Sequence, residues 1–471
     1  MAAPTAPPSV FARTAEAAAP TPAPSPTPVP VLPALAPVPG PKPAPPAPAN
    51  PIRIGLGRSQ SIVDLTAPGG IAVVAAGVIQ WQSAPNQAVR LTLSGTQILV
   101  AGLAKPLTGP VRLVPVQPEP SNVISYNRKP YRGEFEVLVN TKDKRLSVVN
   151  VLNLDDYLMG VVPKEMPTSW PAEALKAQAV AARTYAILNK GKYNNEGFDM
   201  TDTTMDQAYG GLAGEKPSSN GAVAATAGQV LTYAGKLAGT YYHSSSGGHT
   251  ENNEIIFQSA PIPYLRGVED YDNVPGNTKY SWTYTYTPDE FAKQLASASA
   301  AIGPVVGAEP AGVIGSSGRP SRWSLKGVLS SITLTAEQVR WAFGLPSSVR
   351  TITVKTAQPG NGDHIYQPGE QVYAVGANGV TQARNVQDST VVGASGVQQF
   401  PADGVLVAHG PAGQSGGTSP TPTTGAVEVT GGGYGHAVGM SQWGAYGMAT
   451  QGKSYAEILT HFYQGTKVEV R

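Results

Sequence analysis

The chain has 471 residues, with 33 Lys and Arg against 31 Asp and Glu and no cysteine. A net charge of +2 removes the electrostatic ground for expecting nucleic-acid or anionic-membrane binding. Without cysteine there is no disulfide framework, no thiolate nucleophile and no Cys-ligated metal centre, and the compartment stays open. Charged residues at 14%, with 53 Gly and 44 Pro, favour strands, loops and turns, and the length suits about two or three domains.

Residues 1–51 hold 18 of the 44 prolines, one aromatic residue (Phe11) and three charged ones (Arg13, Glu16, Lys42). Such a tract cannot bury a core and is expected to be a disordered Pro/Ala-rich linker. Val29 to Val38 is broken by proline too often to serve as the apolar part of an export signal. No later run reaches the roughly 18 apolar residues of a membrane span. From 52 to 130 the pattern is β-rich: Ile52–Leu56, Ile71–Val74 and Val89–Leu93 alternate or run apolar, and Phe135–Val139 continues the theme.

The period then changes. Residues 171–190 predict a helix, with Pro171 and Glu173 in its first turn and Leu175, Ala179, Ala182 and Ala186 along one face. A face of alanine predicts close packing against a neighbour. Tyr455–Tyr463 predicts a second helix, opened by the capping pair Ser454 and Glu457 and followed by Gly465. Between them, 290–425 has a looser texture and reads as an inserted smaller domain. Its Val349–Val407 part is expected to be short strands, and the Gly/Ser/Pro/Thr run from 410 to 425 a linker. The fold class expected is α+β: a mixed-sheet core over 131–289 and 426–471 with one prominent helix, the β-rich front, the insertion and the Pro-rich start.

Two stretches carry candidate chemistry. In the first, Glu165 stands between Pro163 and Pro167 beside Val161, Val162 and Met166. A carboxyl held against apolar groups resists ionisation and can act as a general acid, although a Pro-rich surface loop would look similar. On the helix that follows, Gln178 and Arg183 are polar among small residues, and Arg183 suits a substrate group, Glu165 or a structural ion pair. Ser245 and Ser246, followed by Gly247 and Gly248, make a small-residue loop able to approach a sugar, without the nucleophile elbow of a hydrolase. In the second stretch the glycines of 431–439 lack the Gly-Lys-Ser/Thr of a phosphate loop. They read either as a tight turn delivering His436, Ser441 and Gln442 to a cleft or as a hairpin packed in the core.

Trp170, Trp282, Tyr241 and Trp443 suit sugar stacking by type, although aromatic residues at such positions more often pack in a core. His243 and His249, with Glu251 and Glu254, lack the H-E-x-x-H arrangement, so no metal and no other cofactor is expected. The absence of an S-x-x-K motif counts against a transpeptidase.

These segments resemble the SpoIID/LytB family of peptidoglycan-remodelling proteins. The resemblance rests on NVLNLDDYL from Asn150, PKEMPTSWPAEALKAQAVAARTYA from Pro163, QAYGG from Gln207, YHSSSGGHTEN from Tyr242 and GYGHAVGMSQWGA from Gly433. It begins near Ile52, is dense from Tyr131 to Trp282, and resumes over Leu334–Ser348 and Gly431–Lys467. Tyr434 and Ala437 depart from it, standing where the family commonly has Trp and Gly. The resemblance implies a lytic transglycosylase acting on glycan strands, with Glu165 as the catalytic acid and no cofactor. It implies equally a non-catalytic enhancer partnered with an N-acetylmuramoyl-L-alanine amidase, or a glycan-binding wall protein. Either role implies an extracytoplasmic location, periplasm or cell wall. Were the enzyme a hydrolase, Asp155, Asp156 and Glu254 would be the candidate second carboxylates.

Overall fold

A computed structural model describes residues 44–46, 50–117, 123–140, 142–298, 302–327, 330–355 and 425–471, together with six short strands between 363 and 409. All of these lie within one compact unit, Pro43–Arg471. The expected Pro-rich linker, up to residue 43, and the expected 410–425 linker, up to residue 424, lie outside the described residues.

The β-rich front is two sheets. One has seven strands in the order Met200–Thr201, Ile52–Gln60, Arg145–Leu152, Glu134–Asn140, Val111–Pro115, Ile71–Ala75 and Val78–Gln82. Its neighbours run antiparallel except the first pair, where Ile54 faces Met200 in parallel register. The other has five antiparallel strands, Gln97–Val100, Val89–Ser94, Ile62–Thr66, Ile124–Tyr126 and Lys129–Tyr131. Valine, isoleucine and leucine at Ile54, Val63, Leu65, Val89, Leu91, Leu113 and Val137 point inward and are fully buried, as alternation in these strands requires.

Eight helices occur among the described residues: α1 (Leu154–Glu165), α2 (Ala172–Leu188), α3 (Pro217–Ala225), α4 (Asn253–Phe257), α5 (Pro288–Ala298), α6 (Ala336–Ala342), α7 (Gln442–Thr450) and α8 (Tyr455–Phe462). α2 is the predicted long helix and the centre of the core. Ala174, Ala177, Ala179, Ala181, Ala182 and Ala186 are completely buried, and α1, α3, α7 and α8 all lie against it. Alanine leaves no gap to fill between backbones this close, so a larger side chain there would cost about 1–3 kcal/mol through overpacking. α8 is capped as its sequence predicts, with Ser454 and Glu457 each satisfying the other's backbone N–H.

α1 is the helix that composition hides. It follows the strand Arg145–Leu152, places Asp155 and Asp156 in its first turn, and contains Pro163 within its last turn. Gly160 within it is a close-approach position: an added Cβ would sit 2.5 Å from the ring of Tyr209. The motif strand-turn around Gln207 packs there, and the Gly210 N–H donates to the Gly160 carbonyl at 3.0 Å.

A second hydrophobic cluster is built from Phe291, Leu295, Trp323, Leu325, Leu334, Val339, Val349 and Ile352, with Val427 and Val429. Its central strand, Ala426–Gly431, pairs on one side with Trp282–Tyr286 and on the other with Val349–Lys355. Both flanking strands of the insertion thus pack with it, so this cluster starts at Trp282 and ends at Val429, slightly outside 290–425. The reason is strand alternation: Trp282 and Tyr286 and then Val427 and Val429 face the same interior.

Candidate active site

Glu165 is the last residue of α1 and is half-buried. Its Oε1 accepts a hydrogen bond from the Ala208 N–H at 3.0 Å, and its Oε2 accepts one from Gln442 Nε2 at 3.3 Å. The Tyr242 hydroxyl donates a third. Burial pushes the carboxyl pKa above its ordinary value, and the three donors, all neutral, offset only part of that. The proton therefore stays on Glu165 to higher pH than on a solvated glutamate.

The donors are themselves fixed. Tyr242 accepts from Gln207 Nε2 at 2.9 Å, while Gln207 Oε1 accepts from the Tyr157 hydroxyl at 3.3 Å. Gln207 is fully buried and also donates to the Ala182 carbonyl of α2. On the other side Gln442 Nε2 is shared with Gln178 Oε1 at 3.4 Å, and Gln178 Nε2 is buried with no hydrogen-bond partner among the described residues. Tyr242 and Gln442 arrive together because Tyr242–His243 pairs in parallel with Met440–Ser441. Two glycine-rich loops meet beside that ladder. Gly433, at φ +88°, leaves only 2.2 Å between a would-be Cβ and the Ser245 carbonyl, so no other residue fits.

Glu165, Gln442 and Gln178 are thus one bonded cluster. The other expected site residues lie elsewhere. Arg183 is turned away from Glu165: its Nε and Nη2 donate to Asp155 at 3.1 and 2.9 Å, and its remaining donors go to the carbonyls of Val223 and Gln229 and to Thr226. Its side chain is 2% exposed, so the structural ion pair is the reading that the fold supports. Ser245, Ser246 and Ser441 are fully buried rather than open to a sugar. Their hydroxyls are committed to two carboxylates, Ser245 to Asp272 at 2.6 Å, Ser246 to Asp270 at 2.5 Å, and Ser441 also to Asp270.

His436 is partly exposed. Its ring lies 5.3 Å from that of His243 and 5.4 Å from that of Phe257, and burial pushes its pKa down to about 4. His243 Nδ1 bonds the Val438 carbonyl and His249 Nδ1 the Thr250 carbonyl, so the two histidines serve separate backbones. Among the described residues no three His, Asp or Glu converge where they could hold a metal ion.

None of the candidate second carboxylates is bonded to Glu165. Asp155 lies ten residues earlier on α1, about 15 Å along its axis. Asp156 follows it in that first turn, and Glu254 is held in a bidentate pair by Arg266 at 2.8 and 2.6 Å. Trp170, Trp443 and Tyr446 form a half-exposed trio with ring centres 4.7 to 5.6 Å apart, next in sequence to the Glu165 and Gln442 segments. Trp282 instead packs in the second cluster, its Nε1 donating to Ser347 and to the Gly433 carbonyl.

Sequence reasoning missed the acids Asp270 and Asp272, the relay residue Gln207, Tyr242 as a donor, and Arg319. The spacing of Asp270 and Asp272, two apart in an extended stretch, was the one available signal for a shared face. Asp272 receives Gly247 and Gly248 N–H at 2.7 and 2.8 Å as well as Ser245. Burial, and then the neighbouring Asp272 carboxyl, push the Asp270 pKa well above the ordinary carboxyl range.

The chain is similar to known proteins over two thirds of its length or more. The family profile described as "Stage II sporulation protein" matches residues 142–233, which hold α1, α2 and Gln207. Stage II sporulation protein D of Bacillus amyloliquefaciens is 30% identical over 339 residues, 68% of this chain and 75% of that protein. An uncharacterized protein of Brachyspira hyodysenteriae is 31% identical over 324 residues, 68% of each chain. The protein named Amidase enhancer in Bacillus subtilis is 30% identical over 76% of this chain, which spans less than half (46%) of that relative.

Proposed function

The chain belongs to the SpoIID/LytB family, and we propose that it is a peptidoglycan lytic transglycosylase with Glu165 as its single acid and base. The observation that carries this is the company Glu165 keeps: one half-buried carboxyl held by three neutral donors, with burial rather than any neighbouring acid raising its pKa. A glycosidase that uses water needs a second carboxylate as base or nucleophile. Internal attack does not.

The proposed step balances within the substrate. Glu165 gives its proton to the oxygen joining N-acetylmuramic acid to N-acetylglucosamine as the bond from the anomeric carbon to that oxygen breaks. The C6 hydroxyl oxygen of the same muramic acid bonds to the anomeric carbon, and its proton passes to the Glu165 carboxylate. The products are a free N-acetylglucosamine end and a 1,6-anhydro-N-acetylmuramic acid end, and no water is consumed. Ala208, Gln442 and Tyr242 support the carboxylate while it lacks its proton. Trp170, Trp443 and Tyr446 offer apolar ring faces of the kind sugars stack on. Such a substrate places the protein outside the cytoplasm, in periplasm or wall. Among the described residues no helix is long and apolar enough to cross a membrane.

The similarity to a protein named Amidase enhancer favours a second reading, in which the chain assists an N-acetylmuramoyl-L-alanine amidase without cutting glycan. Digests of purified sacculi and of peptide-free glycan strands, read by mass spectrometry, separate the two. Anhydro ends from wild type and none from Glu165→Gln support the enzyme. Intact glycan with a stimulated amidase supports the enhancer.

A further inference from the structure

The two glycine-rich loops that present Tyr242 and Gln442 to Glu165 are held by polar side chains from the chain segments that build the second cluster. Arg319 Nη2 donates to the carbonyls of Ser246 at 2.6 Å and Gly432 at 2.7 Å, one from each loop, and its Nη1 donates to the His249 carbonyl at 3.4 Å. Arg350 donates to the Gly247 carbonyl at 2.8 Å, and the Ser347 hydroxyl to Gly432 at 2.7 Å. Glu251, just beyond the first loop, in turn accepts from the backbone and hydroxyls of Ser316 and Ser317, a turn ahead of Arg319.

Arg319 is fully buried, and the bonds its guanidinium makes are to backbone carbonyls. Burying a cation costs several kcal/mol unless its donors are met; Arg319 Nε has no hydrogen-bond partner among the described residues, so the bonds from its two Nη groups fix its position. The same Ser246 donates its hydroxyl to Asp270, which also takes the hydroxyl of Ser441, the cap of α7. Gln442 is the next residue. A bonded path therefore runs from Arg319 through Ser246, Asp270 and Ser441 to the donor on Glu165.

We propose that Arg319 is a positioning residue: by fastening the two glycine-rich loops to one another it sets the placement of Gln442 and Tyr242 on Glu165. The effect on cleavage rests on the transglycosylase reading, while the effect on Glu165 itself does not. The test is the pKa of Glu165, followed by carbon NMR of Glu-labelled full chain with the signal assigned from Glu165→Gln, beside glycan cleavage. Arg319→Met is expected to raise that pKa, because the donors slip, and to lower cleavage per folded molecule about 10- to 100-fold. Arg319→Lys restores part of both. If Arg319→Met does not fold, Ser347→Ala and Arg350→Met, each removing fewer bonds from the same loops, are expected to shift both readouts in that direction by less. A folded variant with unchanged Glu165 pKa and unchanged cleavage overturns the proposal. Wild type that cuts no glycan removes the enzymatic reading, and the titration still decides the role of Arg319.

Discussion

The two ends of α1 carry acids in opposite circumstances. At its start Asp155 meets the guanidinium of the buried Arg183, and charge is answered by charge. At its end Glu165 meets an amide, a side-chain amide and a phenol, none of them charged, and burial raises its pKa. The same helix therefore holds one acid whose ion pair ties α1, α2 and α3 together and one whose proton is available. An arginine beside Glu165 would have favoured its ionised form and lowered the pH at which it gives up its proton. Keeping Arg183 at the far end leaves the Glu165 carboxyl without a cation to lower its pKa.

The sharpest way to break this contrast is to exchange the acid for its amide. Glu165→Gln is expected to lower glycan cleavage by about 10²- to 10⁴-fold while leaving the melting temperature at or above wild type, since the new side chain no longer loses stability by ionising. Arg183→Met is expected to do the reverse. Stability falls by about 2–4 kcal/mol in urea unfolding, because buried carbonyls lose their donors and Asp155 its partner, and cleavage per folded molecule stays near wild type. Loss of cleavage with stability kept would show that the two ends are not separate. Gln442→Ala removes one donor from the Glu165 carboxylate and raises its pKa further. A step that needs protonated Glu165 is lost as pH rises through that pKa, so the alkaline limb of the rate profile moves to higher pH, with the rate down about 10-fold.

The smallest effect concerns a third acid, Asp270, buried beside Asp272. An unfolded aspartate releases its proton near pH 4, whereas folded Asp270 keeps its proton to higher pH. Between those two pKa values the folded state holds the extra proton, so this group's contribution to stability is present below about pH 4 and is lost as pH rises through the folded pKa. Asp270→Asn is expected to flatten that part of the stability profile, measured by urea unfolding at several pH values.

Much of this was legible from residues. Strand alternation placed Ile52–Leu56 and Phe135–Val139 correctly, and the alanine face gave α2 to within two residues at either end. The extent of α1 was not visible because Gly160 and Pro163 weaken its propensity, and tertiary packing against Tyr209 and α2 decides its form. Glu165 was readable from its apolar, proline-fixed surroundings. Arg183 was open between two roles because helical spacing gives a face and not a partner, and Asp155 lies 28 residues away. The serines of the glycine-rich loop looked accessible since small residues permit close approach, but what approached was backbone and the carboxyls of Asp270 and Asp272. Arg319 had no signal at all, since it acts across 73 and 113 residues of sequence on carbonyls that every residue carries.

The claim at the centre of this account is that Glu165 cuts glycan without water. Digesting peptide-free glycan strands in water enriched in oxygen-18, with products weighed by mass spectrometry, tests it most directly. The account predicts anhydro-muramic acid ends carrying no label, formed by wild type and lost in Glu165→Gln. Reducing muramic acid ends carrying one oxygen-18 each would contradict it, and would require a second carboxylate acting on water.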